Sequence, residues 1–269
     1  MGGPVKVAVC GALGRMGQRV VQAVLSRPDL VVSGVIEYPG HPRIGQNIGP
    51  LLGQTALDLT LAGSLGEGAA GADLYIDFTS VESSLAYLEE AAEINLAAVV
   101  GTTGFSPAQE AGIRAFGRKI PVLWAPNMST GVNVLYQIAV AMARMLGPDF
   151  DLEIVEAHHR LKKDAPSGTA VKLYRALAEA RGLDPAAALV SGREGLVGRR
   201  TDREIGVLAL RGGDIVGDHS VYFCGPGERL ELTHRAGSRD TFAQGAVRAA
   251  AWLAGKPAGF YGLEDTLAV

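Results

Sequence analysis

The stretch Val5-Lys-Val-Ala-Val-Cys-Gly-Ala-Leu-Gly-Arg-Met-Gly17 decides the fold of this 269-residue chain. Its first six residues are mostly apolar and β-branched, which is typical of a buried parallel strand, and a glycine follows at once. From Gly14 to Leu25 apolar residues recur at helical spacing, and Pro28 closes the segment. A second strand from Leu30 to Glu37 follows. The sequence therefore predicts a βαβ unit, the opening of an α/β fold.

The three glycines between the first strand and the helix favour dinucleotide binding. Gly11 permits a tight turn, and Gly14 lets the backbone approach a pyrophosphate. Gly17 lets the helix pack closely on the sheet, and the helix amino terminus then faces the anion. The spacing is GxxGxxG, a variant of the commoner GxGxxG, and an ordinary βα turn is the alternative interpretation. The strand and helix on either side favour the dinucleotide site.

An acidic residue stands where an adenosine ribose would lie. Glu37 ends the second strand about 20 residues beyond Gly17, and a carboxylate there can accept both ribose hydroxyls of NAD. Tyr38 follows it, where an arginine would favour a 2′-phosphate, although Arg15 in the glycine loop can also face such a phosphate. We therefore expect NADH to be favoured, with NADPH also possible. The alternative is a strand-end carboxylate in solvent.

The rest of the chain shows two different sequence patterns. Residues 38–73 are rich in glycine and proline and show no clear period, but strands and helices then alternate to residue 129, as in doubly wound sheets. After about residue 148, polar–apolar alternation and hairpin-like strands predict a mixed or antiparallel sheet. The expected fold is α/β. It combines a Rossmann-like, dinucleotide-binding domain in residues 1–129 plus 240–269 with an inserted α+β domain in residues 130–239.

Two further loops follow predicted strands of the parallel sheet. They are Val100-Gly-Thr-Thr-Gly104 and Ala125-Pro-Asn-Met-Ser129. Ligands of open α/β sheets bind in the crevice outside the carboxyl ends of the strands, so small residues there favour a binding role. Each loop taken alone is equally compatible with a simple turn.

The densest cluster of functional side chains is Glu156-Ala-His-His-Arg-Leu-Lys-Lys-Asp-Ala-Pro-Ser-Gly-Thr169. Neighbouring His158 and His159 point to opposite faces of a strand, so no metal site is expected. A histidine with a lysine a few residues on is a plausible proton-transfer pair. Ser167-Gly-Thr169 opens a predicted helix, whose backbone N–H groups suit an anion. The alternative is a solvated charged turn.

Composition excludes several classes of function. The net charge of −3 and pI near 6.0 provide no electrostatic footprint for nucleic acid or anionic lipid. No apolar run reaches the roughly 18 residues that span a bilayer, and the start has no signal-peptide layout. Cys10 and Cys224 are too few for a disulfide framework. We expect a cytoplasmic protein without nucleic-acid or membrane partners, in which His41, His219 and His234 are surface or hydrogen-bonded strand residues.

The motifs together resemble one enzyme family, 4-hydroxy-tetrahydrodipicolinate reductase, formerly called dihydrodipicolinate reductase. The similarity runs essentially end to end, and the stretch from the paired histidines to Gly168 and Thr169 is highly specific. The segments that carry it are Gly11–Gly17, Ile76–Thr79, Val100–Phe105, Glu156–Arg160, Asp164–Thr169, Gly213–Gly217 and Gly227–His234.

This resemblance implies reduction of a cyclic dicarboxylic imine to tetrahydrodipicolinate by NADH or NADPH, in diaminopimelate and lysine synthesis. It implies that the inserted domain binds substrate and forms a homotetramer through its sheet. By motif, the proton donors are His158 and Lys162, and the substrate-carboxylate contacts are His159, Gly168 and Thr169. The cofactor contacts are Gly11, Ala12, Leu13, Gly14, Arg15 and Met16 at the pyrophosphate, Glu37 at the ribose, and Gly101, Thr102, Thr103, Ala125, Pro126, Asn127 and Met128 beside the nicotinamide.

Two points depart from the family pattern or leave a choice open. The family often has an arginine where this chain has Tyr38, and Lys162 is chosen over its neighbour Lys163 only by spacing from His158. Two other functions compete. One is another nicotinamide-dependent dehydrogenase of aspartate metabolism, against which the paired-histidine stretch argues. The other is a non-catalytic NAD-binding sensor, against which the His158–Lys162 pair argues.

Overall fold

The computed structural model describes residues 3–267, which form two compact units. One unit extends to Thr130 and resumes at Asp240, and the other comprises Gly131–Arg239. Among the described residues, no helix combines the length and the apolar character needed to cross a bilayer.

The first unit begins with alternating strands and helices. Glycine-rich or capped turns separate the elements, and Ser80 and Ser106 cap two of the helices with their side chains. In chain order the elements are β1 (Val5–Cys10), α1 (Arg15–Leu25), β2 (Leu30–Ile36), α2 (Ile48–Leu51), α3 (Leu65–Gly68), β3 (Leu74–Asp77), α4 (Val81–Glu93), β4 (Ala97–Val100), α5 (Pro107–Phe116) and β5 (Pro121–Trp124).

The second unit opens within a long helix that begins at Thr130. Its elements are α6 (Thr130–Leu146), a 3-10 turn (Gly147–Asp149), β6 (Asp151–His158), α7 (Gly168–Ala180), α8 (Pro185–Ala188), β7 (Leu189–Val190), β8 (Ile205–Arg211), β9 (Asp218–Gly225) and β10 (Glu228–Arg235). The sheet order is β10-β9-β6-β8-β7. Strand β6 runs parallel to β8 and antiparallel to β9, so the predicted mixed sheet is confirmed.

One face of the mixed sheet is buried and the other is not covered by these helices. Residues of β6 alternate between buried and partly exposed, and Leu152 and Ile154 join the apolar side chains of α6 and α7 in one core. This alternation is what a sheet packed on one side requires. The opposite face carries Leu208 and Leu210 of β8, which are 39% and 58% exposed.

The chain then returns to complete the first unit. Helix α9 (Asp240–Leu253), strand β11 (Gly259–Tyr261) and a 3-10 turn (Leu263–Leu267) close it. Its six-stranded sheet is parallel throughout, in the order β11-β5-β4-β3-β1-β2. Buried apolar residues line both faces, because helices cover both. The Rossmann-like parallel sheet predicted from the sequence is confirmed.

Residues 38–73, which showed no period in the sequence, form the edge of this sheet. The Ala62 N–H donates to Val35 O, and the Glu37 N–H donates to Ala62 O, so this part of the segment pairs with the end of β2. Helix α3 packs directly on β2, where a Cβ on Gly34 would lie 1.7 Å from Gly68 O. The segment therefore covers an edge that would otherwise expose unpaired backbone groups.

Candidate active site

The glycine loop leaves the start of α1 open. Gly11 has a φ of +68°, which favours glycine, and the Gly14 N–H donates to Gly11 O at 2.9 Å. A Cβ on Gly17 would lie 1.9 Å from Gly11 O, so the helix can approach the turn only with glycine there. The first turn of α1 has no acidic residue, and Gly14 makes no side-chain cap. This is the arrangement that an anion requires.

Glu37 lies directly beside this loop. The Leu13 N–H donates to Glu37 Oε1 at 3.0 Å, and Glu37 is only 9% exposed. The solvated strand-end carboxylate considered from the sequence is therefore not what the structure shows. Tyr38 is 51% exposed and packs edge-on against His41, with ring centroids 5.3 Å apart, while Arg15 is exposed at the helix start.

A buried carboxylate organises the loops after β3 and β4. Asp77 is fully buried and accepts hydrogen bonds from Thr79 Oγ1 at 2.6 Å, from Thr102 Oγ1 at 3.1 Å and from Ser84 Oγ. Burial raises the pKa of Asp77 despite these bonds. The Thr79 N–H in turn donates to Thr102 Oγ1 at 2.9 Å. Sequence reasoning assigned Asp77 no role, although an acid at the end of a buried strand is itself a signal.

Close contacts connect the remaining predicted cofactor loops along the same edge of the sheet. A Cβ on Gly101 would lie 2.2 Å from a ring carbon of Phe78, and one on Gly11 would lie 2.8 Å from Thr79 Cγ2. The Ala125 N–H donates to Val100 O at 3.2 Å. The contact of Gly11 with Thr79 lies between β1 and β3, where the strand order reverses and ligands of such sheets bind, and the other two contacts follow along the same edge. Thr103 and Pro126 are exposed there, whereas Ala12, Thr102, Ala125 and Met128 are buried.

In the second unit, four nitrogen atoms lie within hydrogen-bond distance of a different carboxylate, that of Glu156. Glu156 Oε2 lies 2.7 Å from His158 Nδ1 and accepts from Arg211 Nη1 at 2.7 Å. Glu156 Oε1 accepts from Arg211 Nη2 at 2.8 Å and from the Ser167 N–H at 2.9 Å. Its side chain is fully buried. Burial raises the pKa of Glu156, but the bonds from Arg211 and His158 outweigh it, so that pKa lies below its ordinary value.

His158 is held between Glu156 and a second buried histidine. The rings of His158 and His219 pack edge-on, 5.2 Å between centroids, and His219 Nε2 lies 3.0 Å from Ser167 Oγ. Burial lowers the pKa of His158, and the Glu156 contact raises it without fully compensating. Burial, reinforced by His158, lowers the pKa of His219 to about 4. His219 is thus a hydrogen-bonded strand residue, one of the two interpretations made from the sequence, and it belongs to the cluster.

The other predicted residues of this unit lie in the segment that follows β6 and at the start of α7. The Lys162 N–H donates to His159 O at 3.1 Å, and Lys162 Nζ lies 2.9 Å from Asp164 Oδ2, whereas Lys163 is exposed. His159 Nδ1 is buried without a hydrogen-bond partner among residues 3–267. Ser167 caps α7 through the Ala170 N–H, leaving Gly168 exposed at the first position of the helix and Thr169 next to it.

The structure adds residues that sequence reasoning did not place in the site. Arg211 ends β8, beside His158 in the parallel pairing of β8 with β6. Gly217 precedes β9, and a Cβ there would lie 3.0 Å from His158 Nε2. Within residues 3–267, no group of three or more histidine, cysteine, aspartate or glutamate side chains is arranged to hold a metal ion. The pKa values of Glu156, His158 and His219 are all shifted in this one cluster, a pattern that is typical of functional sites.

Two family models and several curated relatives match the sequence of this chain. The family model described as dihydrodipicolinate reductase, N-terminus, matches residues 5–128, and the model for the C-terminus matches residues 131–267. The 4-hydroxy-tetrahydrodipicolinate reductase of Anaeromyxobacter sp. (strain Fw109-5) is 52% identical over 98% of this chain and 97% of its own. That of Anaeromyxobacter dehalogenans (strain 2CP-1) is 50% identical over 97% of each chain.

A solved structure extends the similarity to three dimensions. Dipicolinate bound dihydrodipicolinate reductase from Paenisporosarcina sp. TG-14 superposes with a TM-score of 0.76 at 26% identity, over 97% of this chain and 99% of the other. The resemblance noted in the motifs is thus confirmed in both halves of the sequence, which favours it over another dehydrogenase of aspartate metabolism. The chain therefore belongs to the dihydrodipicolinate reductase family and is a nicotinamide-dependent oxidoreductase.

Proposed function

We propose that this chain reduces a cyclic dicarboxylic imine to tetrahydrodipicolinate in diaminopimelate and lysine synthesis, with His158 and Lys162 as proton donors. The observation that carries the proposal is the ion pair of buried Glu156 with Arg211, in which the one carboxylate also holds His158 and the start of α7. A histidine and a lysine beside a helix start suit a dianionic substrate that must gain a proton.

The substrate contacts follow from the same unit. The exposed start of α7 supplies the backbone N–H groups of Gly168 and Thr169 for one carboxylate, and His159 supplies a ring nitrogen. The solved relative described as dipicolinate bound supports a small dicarboxylate in this family. Lys162 Nζ, the second proposed proton donor, lies 2.9 Å from Asp164 Oδ2.

The cofactor would be held at the carboxyl edge of the parallel sheet. The residues fit an NAD-type dinucleotide, because α1 has an uncapped amino terminus beside Gly11–Gly14 and Glu37 lies against the loop. The reduced nicotinamide supplies hydride when bound. The loops Gly101–Thr103 and Ala125–Met128 would line its nicotinamide side. NADH is the favoured cofactor, because Tyr38 rather than an arginine follows Glu37, and Arg15 leaves NADPH possible.

Assembly would use the mixed sheet. The face that carries Leu208 and Leu210 is not covered by α6 and α7, which pack on the other side. An open apolar sheet face is a typical oligomer interface, so the proposed state is a homotetramer joined through these sheets. We further propose a cytoplasmic location for the enzyme. Light scattering should give four times the chain mass, and Leu210→Asp should lower it. An unchanged mass in that variant would argue against this interface.

The test of function is cofactor oxidation with freshly generated substrate. The substrate is made from pyruvate and aspartate semialdehyde by a condensing enzyme, and loss of NADH or NADPH absorbance is followed. We expect oxidation with both cofactors and a higher kcat/KM with NADH. A higher kcat/KM with NADPH would overturn the cofactor preference alone. Cofactor binding without any oxidation would instead favour the non-catalytic sensor.

A further inference from the structure

The two oxygens of the Glu156 carboxylate have no hydrogen-bond acceptor site left for water or substrate. Four N–H donors converge on its two oxygens, two on each, and its side chain is buried. A carboxylate accepts hydrogen bonds and cannot donate them, so His158 must carry a proton on Nδ1. The ring nitrogen left to exchange a proton is therefore Nε2. Gly217 leaves room beside Nε2, because a Cβ there would lie 3.0 Å away.

The same carboxylate reaches the substrate-binding helix. Glu156 Oε1 accepts the Ser167 N–H, and Ser167 is the capping residue immediately before Gly168 and Thr169. Arg211 strengthens the arrangement, since its guanidinium binds both carboxylate oxygens and also donates to Asp164 O at 2.6 Å. A bidentate guanidinium contact fixes the plane of the carboxylate as well as its charge.

We propose that Glu156, clamped by Arg211, is a positioning residue that sets the tautomer and charge of His158 and fixes the start of α7. The inference rests on the proposed function, in which His158 donates the proton and α7 binds a substrate carboxylate. Glu156 itself contacts neither substrate nor cofactor in this scheme. One buried carboxylate thereby aligns the proton donor with the group that holds the substrate.

Four charged or titratable groups face His158. Substitution of two of them, Glu156 and Arg211, should shift the pKa of His158 in opposite directions. Glu156 stabilises the protonated ring, whereas Arg211, His219 and Lys162 disfavour it. Removing the Glu156 charge should therefore lower the pKa of His158, and removing the Arg211 charge should raise it. A residue with a purely structural role would change activity at every pH without moving the pKa in opposite directions.

The test compares Glu156→Gln with Arg211→Gln. An amide has one acceptor oxygen, so glutamine cannot satisfy four donors. In Glu156→Gln we expect kcat to fall by roughly 10²-fold, with the alkaline limb of kcat/KM about one pH unit lower. In Arg211→Gln the same limb should move to higher pH. The affinity for NADH, measured by fluorescence titration, should stay unchanged in both variants.

Glu153→Gln is the matched control. Glu153 lies on the same strand but its side chain binds Arg193 and Arg200 on the other face of the sheet. This variant loses a similar arginine-bound carboxylate and should keep the wild-type pH profile. If Glu156→Gln behaves like Glu153→Gln, the positioning role is overturned while the reductase function stands. If Glu156→Gln does not fold, Arg211→Gln decides, and an unmoved limb in that variant overturns the proposal.

A measurement without turnover separates the two proposals. In wild-type protein labelled with ¹⁵N-histidine, the neutral His158 ring should carry its proton on Nδ1. The pKa of His158 in the wild type should lie between its values in Glu156→Gln and Arg211→Gln. If the wild type fails to oxidise either cofactor, the proposed function fails, and this titration still decides whether Glu156 controls His158. Equal titration of His158 in wild type and Glu156→Gln would contradict the proposal.

Discussion

Asp77 in the first unit and Glu156 in the second are both fully buried carboxylates at or near the end of a strand, and their pKa values are shifted in opposite directions. Asp77 ends β3 among the hydroxyls of Thr79, Ser84 and Thr102, and burial raises its pKa. Glu156 lies near the end of β6 among N–H groups that include a guanidinium, and its pKa is lowered despite burial. At Asp77 the hydroxyl hydrogen bonds do not offset burial, whereas at Glu156 the bonds from Arg211, His158 and the Ser167 N–H do.

The difference shows how the candidate cofactor site of the first unit and the histidine cluster of the second unit are built. Around Asp77 the carboxylate ties loops together, and the surface offered to a ligand is mostly backbone and small side chains. Around Glu156 the carboxylate stays ionised and governs neighbouring titratable groups such as His158. The first unit therefore depends on shape, and the second depends on charge. Each dependence makes a separate prediction.

The largest effect is expected in the glycine loop of the first unit, where helix α1 approaches the backbone of the turn closely. In Gly17→Ala the new Cβ would lie 1.9 Å from Gly11 O, and neither backbone can yield easily. We expect a loss of about 3 kcal/mol in the free energy of unfolding and loss of NADH binding. Urea unfolding and fluorescence titration measure the two quantities.

A glycine with open space is the control for that variant. Gly112 lies in α5, and a Cβ there meets nothing within 4 Å. Gly112→Ala should stabilise the protein by about 0.5–1 kcal/mol, because alanine favours the helix, and should leave cofactor binding unchanged. Wild-type NADH affinity in Gly17→Ala would show that the close approach is not needed for binding.

An intermediate effect is expected in the second unit, where charged side chains form the candidate site. Lys162→Ala should lower kcat by roughly 10²-fold, because it removes a proposed proton donor. Its affinity for NADH should not change, since Lys162 belongs to the second unit. Steady-state kinetics and NADH titration separate the two effects. Lys163→Ala serves as the control, and a larger loss of kcat there would transfer the role to Lys163.

The smallest effect concerns the two carboxylates themselves. Asp77 has a raised pKa, so the wild type should lose stability relative to Asp77→Asn as pH rises above about 4 through that pKa. Glu156 has a lowered pKa, so the wild type should lose stability relative to Glu156→Gln as pH falls below about 4.5. Each slope is at most about 1.4 kcal/mol per pH unit, the limit for one proton. Urea unfolding across this pH range measures both, and slopes of equal sign would contradict the comparison.

Local patterns account for most of the fold that the sequence predicted. A mostly apolar, β-branched run followed by glycine predicted β1, and the helix predicted to open at Ser167–Thr169 begins at Gly168 in the structure. The edge segment at residues 38–73 could not be found in this way. Its hydrogen bonds to β2 join irregular backbone, and irregular backbone has no period to detect.

The candidate functional residues also differ in how far the sequence could predict them. His158 and Lys162 belong to one continuous motif, so the sequence alone made them candidates. Arg211 lies 55 residues beyond Glu156 and meets it only because β6 and β8 pair in parallel. Asp77 meets hydroxyls from three different segments. Pairings that depend on the three-dimensional arrangement of strands leave no trace in sequence spacing.

The return of the chain to its first sheet has a consequence for biosynthesis. Strand β11 pairs with β5, and α9 packs so closely that a Cβ on Gly245 would lie 1.6 Å from Met128 O. A ribosome therefore releases all of the second unit before the last strand of the first unit emerges. The continuous second unit can fold while the nascent chain is still attached, whereas the first must wait with an unpaired strand edge. The first unit is therefore the first to begin synthesis and the last to complete its sheet.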